Sequence, residues 1–309
     1  MNYLILGAGG FIGRNLAESM MAAPDTDLIL FDRDPITYPI TPNCRAVTGN
    51  FGIDADFSAL TRGVDVVYHL VSTTLPGNSN ENMEKGFVDN VLATMRLLDA
   101  CVANGVGKVV FISSGGTVYG MDAQPPLAET VPTDPINGYG LQKLTIEKTL
   151  YLYHYLHGLD YRIIRLSNPY GKYKKAYGIQ GVINTFVHKA VVGEELRVFG
   201  DGNVVRDYIH IDDAITAIRR IELADSGEKL YNVGSGQGYS IRDIIALLEK
   251  ILGRALRVIY EPGRKADVPV NVLDVSRYES RFGPICTVSL EDGIRDLLER
   301  QCSEQATNK

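Results

Sequence analysis

The sequence predicts an α/β protein: a doubly wound parallel sheet joined to a smaller mixed α/β region. Three observations predict it. Short apolar strands alternate with amphipathic helical stretches through the first half of the chain, the pattern of a parallel sheet with helices on both faces. The first strand runs directly into the glycine-rich turn Gly7-Ala-Gly-Gly10-Phe11-Ile12-Gly13, and a helical period of Leu16, Ala17 and Met20 follows. A second strand, Leu28 to Phe31, then ends at Asp32, about 20 residues beyond that turn.

Each element follows from its residues. In the turn, Gly7 permits the tight reversal, Gly10 lets the backbone approach a pyrophosphate, and Gly13 lets helix and strand pack closely, with the helix N-terminus facing the phosphates. This is a Rossmann-type dinucleotide signature. A carboxylate at Asp32 can accept both ribose hydroxyls and repel a 2′-phosphate, which favours NAD over NADP. Arg33 and Arg14 lie nearby, and an arginine is what a 2′-phosphate would need. A third strand, Arg45 to Thr48, leads to Gly49-Asn50-Phe51, and a fourth, Val64 to Leu70, leads to His69-Leu70-Val71-Ser72-Thr73-Thr74. His69 reads as a packed wall of a cofactor cleft rather than a base. A long helix spans Glu81 to Ala103 with Asn90 as a polar residue inside it, and the fifth strand, Lys108 to Ile112, ends in Ser113-Ser114-Gly115-Gly116-Thr117-Val118-Tyr119-Gly120. Helices are expected over Gly138 to His157, Gly178 to Val192, Asp212 to Leu223, Ile241 to Leu252 with Ser240 as its cap, and Leu290 to Arg300. A strand returns at Tyr231 to Gly234, and the polar tail Ser303 to Lys309 is expected to fray. The dinucleotide-binding domain is placed at residues 1–167 with returning segments at about 205–235; residues 168–309 are mainly the substrate-binding region, interleaved with it.

The chemistry centres on Tyr139-Gly-Leu-Gln-Lys143. On a helix beginning near Pro135-Ile136-Asn137, residues at i and i+4 share a face, so the ammonium of Lys143 can lie beneath the ring of Tyr139. Lowering a phenol from a pKa of roughly 10 to 7 takes about 4 kcal/mol, which one positive charge ~4 Å away supplies at an effective dielectric near 20. A second pair at the same spacing, Tyr170 and Lys174, follows a proline, contains Gly171 and lacks an apolar helical period, so it reads as loop.

Composition sets the outer limits. With 309 residues, 45% of them apolar and 22% charged, the chain can bury a full core. A net charge of −6 and a pI near 5.5 argue against a nucleic-acid backbone or an anionic membrane as the main partner. No apolar run approaches the ~18 residues of a membrane span, and no basic leader precedes the first strand, so a cytoplasmic location is expected. Cys44, Cys101, Cys286 and Cys302 show neither disulfide nor zinc spacing, and no metal is expected.

The glycine turn, the Ser-Ser-Gly-Gly-Thr-Val-Tyr-Gly run and Tyr139/Lys143 occur in the order and spacing of the extended short-chain dehydrogenase/reductases. Within these the chain most resembles the UDP-glucose 4-epimerase group of NAD-dependent sugar-nucleotide epimerases. The likeness continues through Ser167-Asn168-Pro-Tyr-Gly171, Val205-Arg206-Asp-Tyr-Ile-His210-Ile-Asp-Asp213 and Gly263-Arg264-Lys-Ala-Asp267-Val-Pro269. It implies that Asn168, Phe199, Arg206, Arg264 and Asp267 hold the nucleotide-diphosphate half of a substrate that is UDP-linked. Guanidinium forks suit diphosphate oxygens independently of that likeness. Phe199 either stacks on a base or belongs to the core. The expected cofactor contacts are Gly7, Gly10, Phe11, Ile12, Gly13, Asp32, Arg33, Asn50, Phe51, Leu70, Ser72, Asn90 and Ser113, joined by Tyr139 and Lys143.

The implied reaction inverts C4 of a nucleotide sugar through a transient 4-keto intermediate, with Tyr139 as base and Lys143 and the cationic nicotinamide lowering its pKa. One position departs from the pattern. Where these epimerases carry a serine or threonine that shares the sugar hydroxyl with the tyrosine, this chain has Gly115. Thr117 and Ser114 flank it, and Thr117 is preferred, because residues 115 and 117 face the same side of an extended segment. A 4,6-dehydratase would need two carboxylates where Gly116 and Thr117 stand. A 4-ketoreductase or a uronic-acid epimerase is a further alternative, and a dinucleotide-sensing regulator is the non-enzymatic one. Asn271, at a position that limits bulk near C2, suggests that an N-acetylhexosamine fits. A homodimer is expected, paired through the helices Glu81 to Ala103 and Gly138 to His157.

Overall fold

A computed structural model gives the fold, described for residues 1–23, 25–174, 181–225, 227–263 and 268–307. The chain divides into two compact units: Met1–Gly120 with Thr133–Arg165 and Ile218–Tyr231, and Met121–Pro132 with Leu166–Ala217 and Asn232–Lys309.

Most of a seven-stranded sheet lies in the first unit. Its strands are β1 (Asn2–Leu6), β2 (Asp27–Asp32), β3 (Cys44–Thr48), β4 (Val66–His69), β5 (Lys108–Ser114), β6 (Asp160–Leu166) and, last in the chain, β10 (Leu230–Val233). The spatial order is β10-β6-β5-β4-β1-β2-β3, which contains the doubly wound order 3-2-1-4-5-6 with one strand added at the β6 edge. From β5 to β3 neighbouring strands are parallel, with Leu6 opposite both Phe31 and His69. The central strands are apolar and buried because helices cover both faces. Those helices include α1 (Phe11–Met21), α2 (Phe57–Thr61), α4 (Ala93–Ala103) and α5 (Gly138–His157). Val67, Val109 and Phe111 of the sheet meet Leu97, Leu98 and Cys101 of α4 and Ile146 and Leu150 of α5 in one apolar cluster.

The helix expected over Glu81 to Ala103 is interrupted. A short α3 (Met83–Gly86) passes into a π-helical turn (Phe87–Leu92) before α4. The strand expected over Val64 to Leu70 is shorter at both ends, and β5 runs two residues further, through Ser114.

In the second unit, β9 (Val205–His210) is the organising strand: β7 (Asn168–Tyr170) and β13 (Val270–Asn271) run parallel to it and β11 (Gly238–Ser240) antiparallel. A separate parallel pair joins β8 (Leu196–Phe199) to β12 (Val258–Glu261). Helices α6 (Val182–Val192), α8 (Ile241–Leu252) and α10 (Leu290–Thr307) enclose a second apolar cluster containing Phe186, Val187, Ile244, Leu248, Ile294 and Leu297. Ser240 caps α8 as expected, in a capping box with Asp243. Helix α6 begins at Val182; the expected start at Gly178 lies outside the described residues. Helix α10 does not stop at Arg300 but continues to Thr307. The i,i+4 pairs Arg295–Glu291 and Arg300–Asp296 brace the turns before this extension, the Ser303 hydroxyl donates to the Glu299 carbonyl, and the tail expected to fray from Ser303 is helical through Thr307. Among the described residues, no helix is long and apolar enough to cross a membrane.

Candidate active site

The start of α5 is held by three features. Asn137 caps it, accepting from the Gly140 amide at 2.8 Å, and the Gly138 amide donates to Asn80 Oδ1 at 2.7 Å. The residues on either side of Tyr139 are glycines because backbone presses on them. A Cβ on Gly138 would lie 2.6 Å from the Ser79 carbonyl oxygen, and one on Gly140 2.5 Å from that of Thr117. The first turn of α5 is thereby fixed between two loops, and Tyr139 with it.

One turn on, Lys143 is buried. Its Nζ donates to the Ile112 carbonyl at 2.8 Å, lies 4.6 Å from the Phe111 ring centroid and 5.6 Å from that of Tyr139. The expected juxtaposition on one helix face is present. The electrostatics differ from the expectation. Burial pushes the Tyr139 phenol up to about 12 and pulls the Lys143 ammonium down to about 7, with Glu147 opposing the second shift. Both groups leave water, and desolvation disfavours charge on each. A lysine whose own charge is disfavoured by the same burial does not by itself make the phenol acidic.

Of the two hydroxyls flanking Gly115, that of Thr117 is buried and has no hydrogen-bond partner among the described residues, whereas Ser114 is half-buried. The Ser113 hydroxyl is turned to the helix and donates to Glu147 Oε1 at 2.5 Å. Asn90, in the π turn, ties loop to helix. Its Oδ1 accepts from the Thr73 amide at 2.8 Å, and its Nδ2 donates to the Gly86 carbonyl at 2.9 Å and Gln142 Oε1 at 3.0 Å. Gln142 also accepts from Thr74 at 2.9 Å. Gln142, Thr73 and Thr74 were not singled out by the sequence, and no spacing marks them. Ser72 donates to the Thr74 carbonyl at 3.0 Å, and Leu70 is half-buried beside it. His69 is buried, Nε2 meets Thr94 Oγ1 at 2.8 Å, and the ring packs between Phe51 and Phe111 at 5.0 and 5.2 Å. Burial, aided by the Lys143 charge, pushes it down to about 3, so it is a neutral wall.

The glycine turn is formed as expected. Gly7 adopts φ +90° and its amide donates to the Phe31 carbonyl at 2.9 Å, while a Cβ on Gly13 would fall 2.0 Å from the Gly7 oxygen. Helix α1, with Phe11 and Ile12 half-buried in its first turn, has neither a side-chain cap nor an acidic residue there. Its terminal amides suit an anion. Asp32 is half-buried and Oδ2 accepts from the Gly9 amide at 2.8 Å. Arg33 is exposed and pairs with Asp34, and Arg14 pairs with Glu18. A groove of about 550 Å³ beyond β2 and β3 is lined by Phe31, Asn50, Asp54 and Asp56; Phe51 is in the core, against Phe57.

In the second unit, Arg206 on β9 lies opposite Asn271 on β13, and its Nη1 donates to the Val268 carbonyl at 2.7 Å. Asn271 is buried and Asn168 Nδ2 donates to the Asp207 carbonyl at 2.9 Å. Phe199 is exposed at the end of β8, which removes it from the core. Asp207, fully buried, gathers the amides of Ser235, Gly236 and Leu273 at 2.7 to 3.3 Å. The candidates Arg264 and Asp267 lie outside the described residues.

A family model described as the NAD dependent epimerase/dehydratase family matches residues 3–234, most of the chain and all of the geometry of the first unit given above. The chain belongs to that family. Among its relatives, UDP-glucose 4-epimerase of Mycolicibacterium smegmatis is 29% identical over 309 residues, 97% of this chain and 98% of that protein. The dTDP-4-dehydro-6-deoxyglucose reductase of Escherichia coli is 31% identical over 306 residues, 96% of each chain. A solved family structure, UDP-glucose 4-epimerase with UDP-glucose from Thermotoga maritima, superposes with a TM-score of 0.91 at 28% identity and covers 100% of both chains.

Proposed function

We propose that the protein is an NAD-dependent epimerase that inverts C4 of a UDP-linked hexose. The observation that carries this is Lys143 held 5.6 Å from the Tyr139 ring on a helix start clamped by glycines, in a unit whose glycine turn suits a dinucleotide. The donor set fits NAD: uncapped α1 amides for the pyrophosphate, and the Asp32 carboxylate for ribose hydroxyls and against a 2′-phosphate. When bound, NAD supplies a reversible hydride acceptor and a positive charge. Tyr139 takes and returns the proton of the C4 hydroxyl. The cationic ring and a protonated Lys143 offset the burial that otherwise keeps the phenol protonated. Thr117, with its buried unpartnered hydroxyl, supplies the contact that Gly115 cannot.

The first unit is assigned to NAD and the second to the sugar nucleotide, through Asn168, Phe199, Arg206 and Asn271, with Arg264 and Asp267. The compact Asn271 supports acceptance of a 2-acetamido group. Exposed Leu92 and Met95 beside α4 and Leu152, Tyr155 and Leu156 on α5 support a homodimer across those helices. Four free cysteines accord with a cytoplasmic location. An NMR time course over a panel of nucleotide sugars tests the reading: inversion at C4 without net NADH is expected, and inversion at another centre refutes it. At least tenfold preference for UDP-glucose over UDP-N-acetylglucosamine removes the acetamido assignment.

A second reading, a sugar-nucleotide 4-ketoreductase, is favoured by the Escherichia coli relative. Stoichiometric consumption of NADH with a 4-keto sugar nucleotide would select it.

A further inference from the structure

Two residues of α5, one turn apart, grip two consecutive residues of β5. Lys143 Nζ holds the Ile112 carbonyl at 2.8 Å, and Glu147 Oε1 accepts from the Ser113 hydroxyl at 2.5 Å. From β6, Arg165 closes on the same carboxylate as a fork, Nε to Oε1 at 3.1 Å and Nη2 to Oε2 at 2.7 Å, with both side chains 4% exposed. The guanidinium carbon also stands 4.9 Å from the Tyr119 ring centroid. A buried ion pair of this kind is a poor source of stability, since desolvation offsets most of its attraction. Its place, one helical turn from the lysine and hydrogen-bonded to the strand end that the lysine also grips, gives it another use.

We propose that Glu147 is a positioning residue: its carboxylate registers α5 on the end of β5 and keeps Lys143 cationic, while Arg165 sets how much of that negative charge Lys143 feels. The proposal rests on the reading of Lys143 as the cation beside Tyr139. Other titratable groups around the pair are His69 on β4, Tyr119 after β5 and Tyr161 on β6. His69 is neutral, and burial raises Tyr161, so neither competes as a charge. Among the described residues, the Glu147 charge holds the lysine's proton on against burial. Removing the carboxylate leaves Lys143 facing an uncompensated guanidinium; removing the guanidinium leaves it facing a bare carboxylate. The two changes therefore act in opposite directions.

Carbon-13 NMR of protein labelled at lysine Cε reads the lysine directly, the Lys143 signal being assigned by its loss in Lys143→Arg. In Glu147→Gln the titration midpoint of Lys143 should fall by about one pH unit, a tenfold weaker hold on the proton. In Arg165→Met it should rise, and in the double variant, where both members of the Glu147–Arg165 ion pair are removed together, it should lie between the two. An unchanged midpoint, or shifts of the same sign in both single variants, overturns the proposal, because a packing role alone would not reverse the sign. If Glu147→Gln does not fold, Arg165→Met and the double variant decide it: the proposal fails unless the midpoint rises in the first and is lower in the second. Turnover tests the underlying reading separately. Full activity in Lys143→Arg and Lys143→Met would remove Lys143 from the chemistry, while the midpoints still report whether Glu147 and Arg165 govern its charge.

Discussion

Substituting alanine through the glycine turn separates two properties of the first unit, its folding and its hold on a nucleotide. At Gly13 the added Cβ would lie 2.0 Å from the Gly7 oxygen and 2.8 Å from the Ala8 Cα. Both obstacles are backbone, so no side-chain rotation relieves them; α1 must move off β1 by more than about 1 Å to restore contact distance. Overpacking costs ~1–3 kcal/mol, and the upper end applies where backbone must yield. Gly13→Ala should therefore lose about 3 kcal/mol in urea unfolding and at least ~100-fold in NAD affinity, because the amides that face the pyrophosphate move with the helix. At Gly10 the same atom meets only the Gly7 oxygen, at 3.2 Å, and otherwise stands in the open. Gly10→Ala should unfold within about 1 kcal/mol of the wild type yet bind NAD at least ~10-fold more weakly, since the methyl occupies the pyrophosphate's approach. Gly52, with nothing within 4 Å of its Cβ position, is the control and should change neither by more than ~0.5 kcal/mol. Calorimetric titration with NAD beside the urea curves measures both properties. The reasoning is refuted if Gly13→Ala matches the wild type, or if Gly52→Ala is as damaging as Gly13→Ala.

Tyr139→Phe should fold normally and lose roughly 10²- to 10⁴-fold in kcat, and retention of more than a tenth of turnover would exclude the phenol as proton carrier. Lys143→Met should lose turnover and gain stability. The native lysine is pulled down to about 7 while the unfolded chain titrates near its ordinary value. The unfolded state thus binds more protons between about pH 7 and 10, and wild-type stability rises across that window. The variant's stability relative to the wild type should be highest at the low end of that window and shrink towards pH 9; urea midpoints at pH 6 and 9 that move in parallel for both proteins would contradict this. Replacing Leu152 and Tyr155 by glutamate should convert a dimer to a monomer in sedimentation velocity, and an unchanged sedimentation coefficient would place the interface elsewhere.

Sequence alone was informative where a covalent constraint dictates geometry. Gly7 and Gly13 announce the turn because no other residue fits it, Asp32 ends a strand beside that turn, and Asn137 marks where α5 begins. What it missed depends on groups far apart in the chain. Gln142 meets Thr74 and Asn90, and Arg165 meets Glu147, through tertiary packing that no local period encodes. The π turn at Phe87–Leu92 shifts hydrogen bonds by one residue without altering the apolar pattern, so a single long helix was the natural expectation. Spacing likewise gives the nearness of the lysine to Tyr139 but not the burial that the two groups share, which raises the phenol and lowers the ammonium.

Helix α5 has two working sides. Tyr139, Lys143 and Glu147 descend one of them, and the other presents Leu152, Tyr155 and Leu156 bare to water. A rod of twenty residues that is capped at its start and closed by Gly158 transmits displacement without hinges. Whatever docks on the outer stripe therefore shares one continuous helix with Tyr139, Lys143 and Glu147.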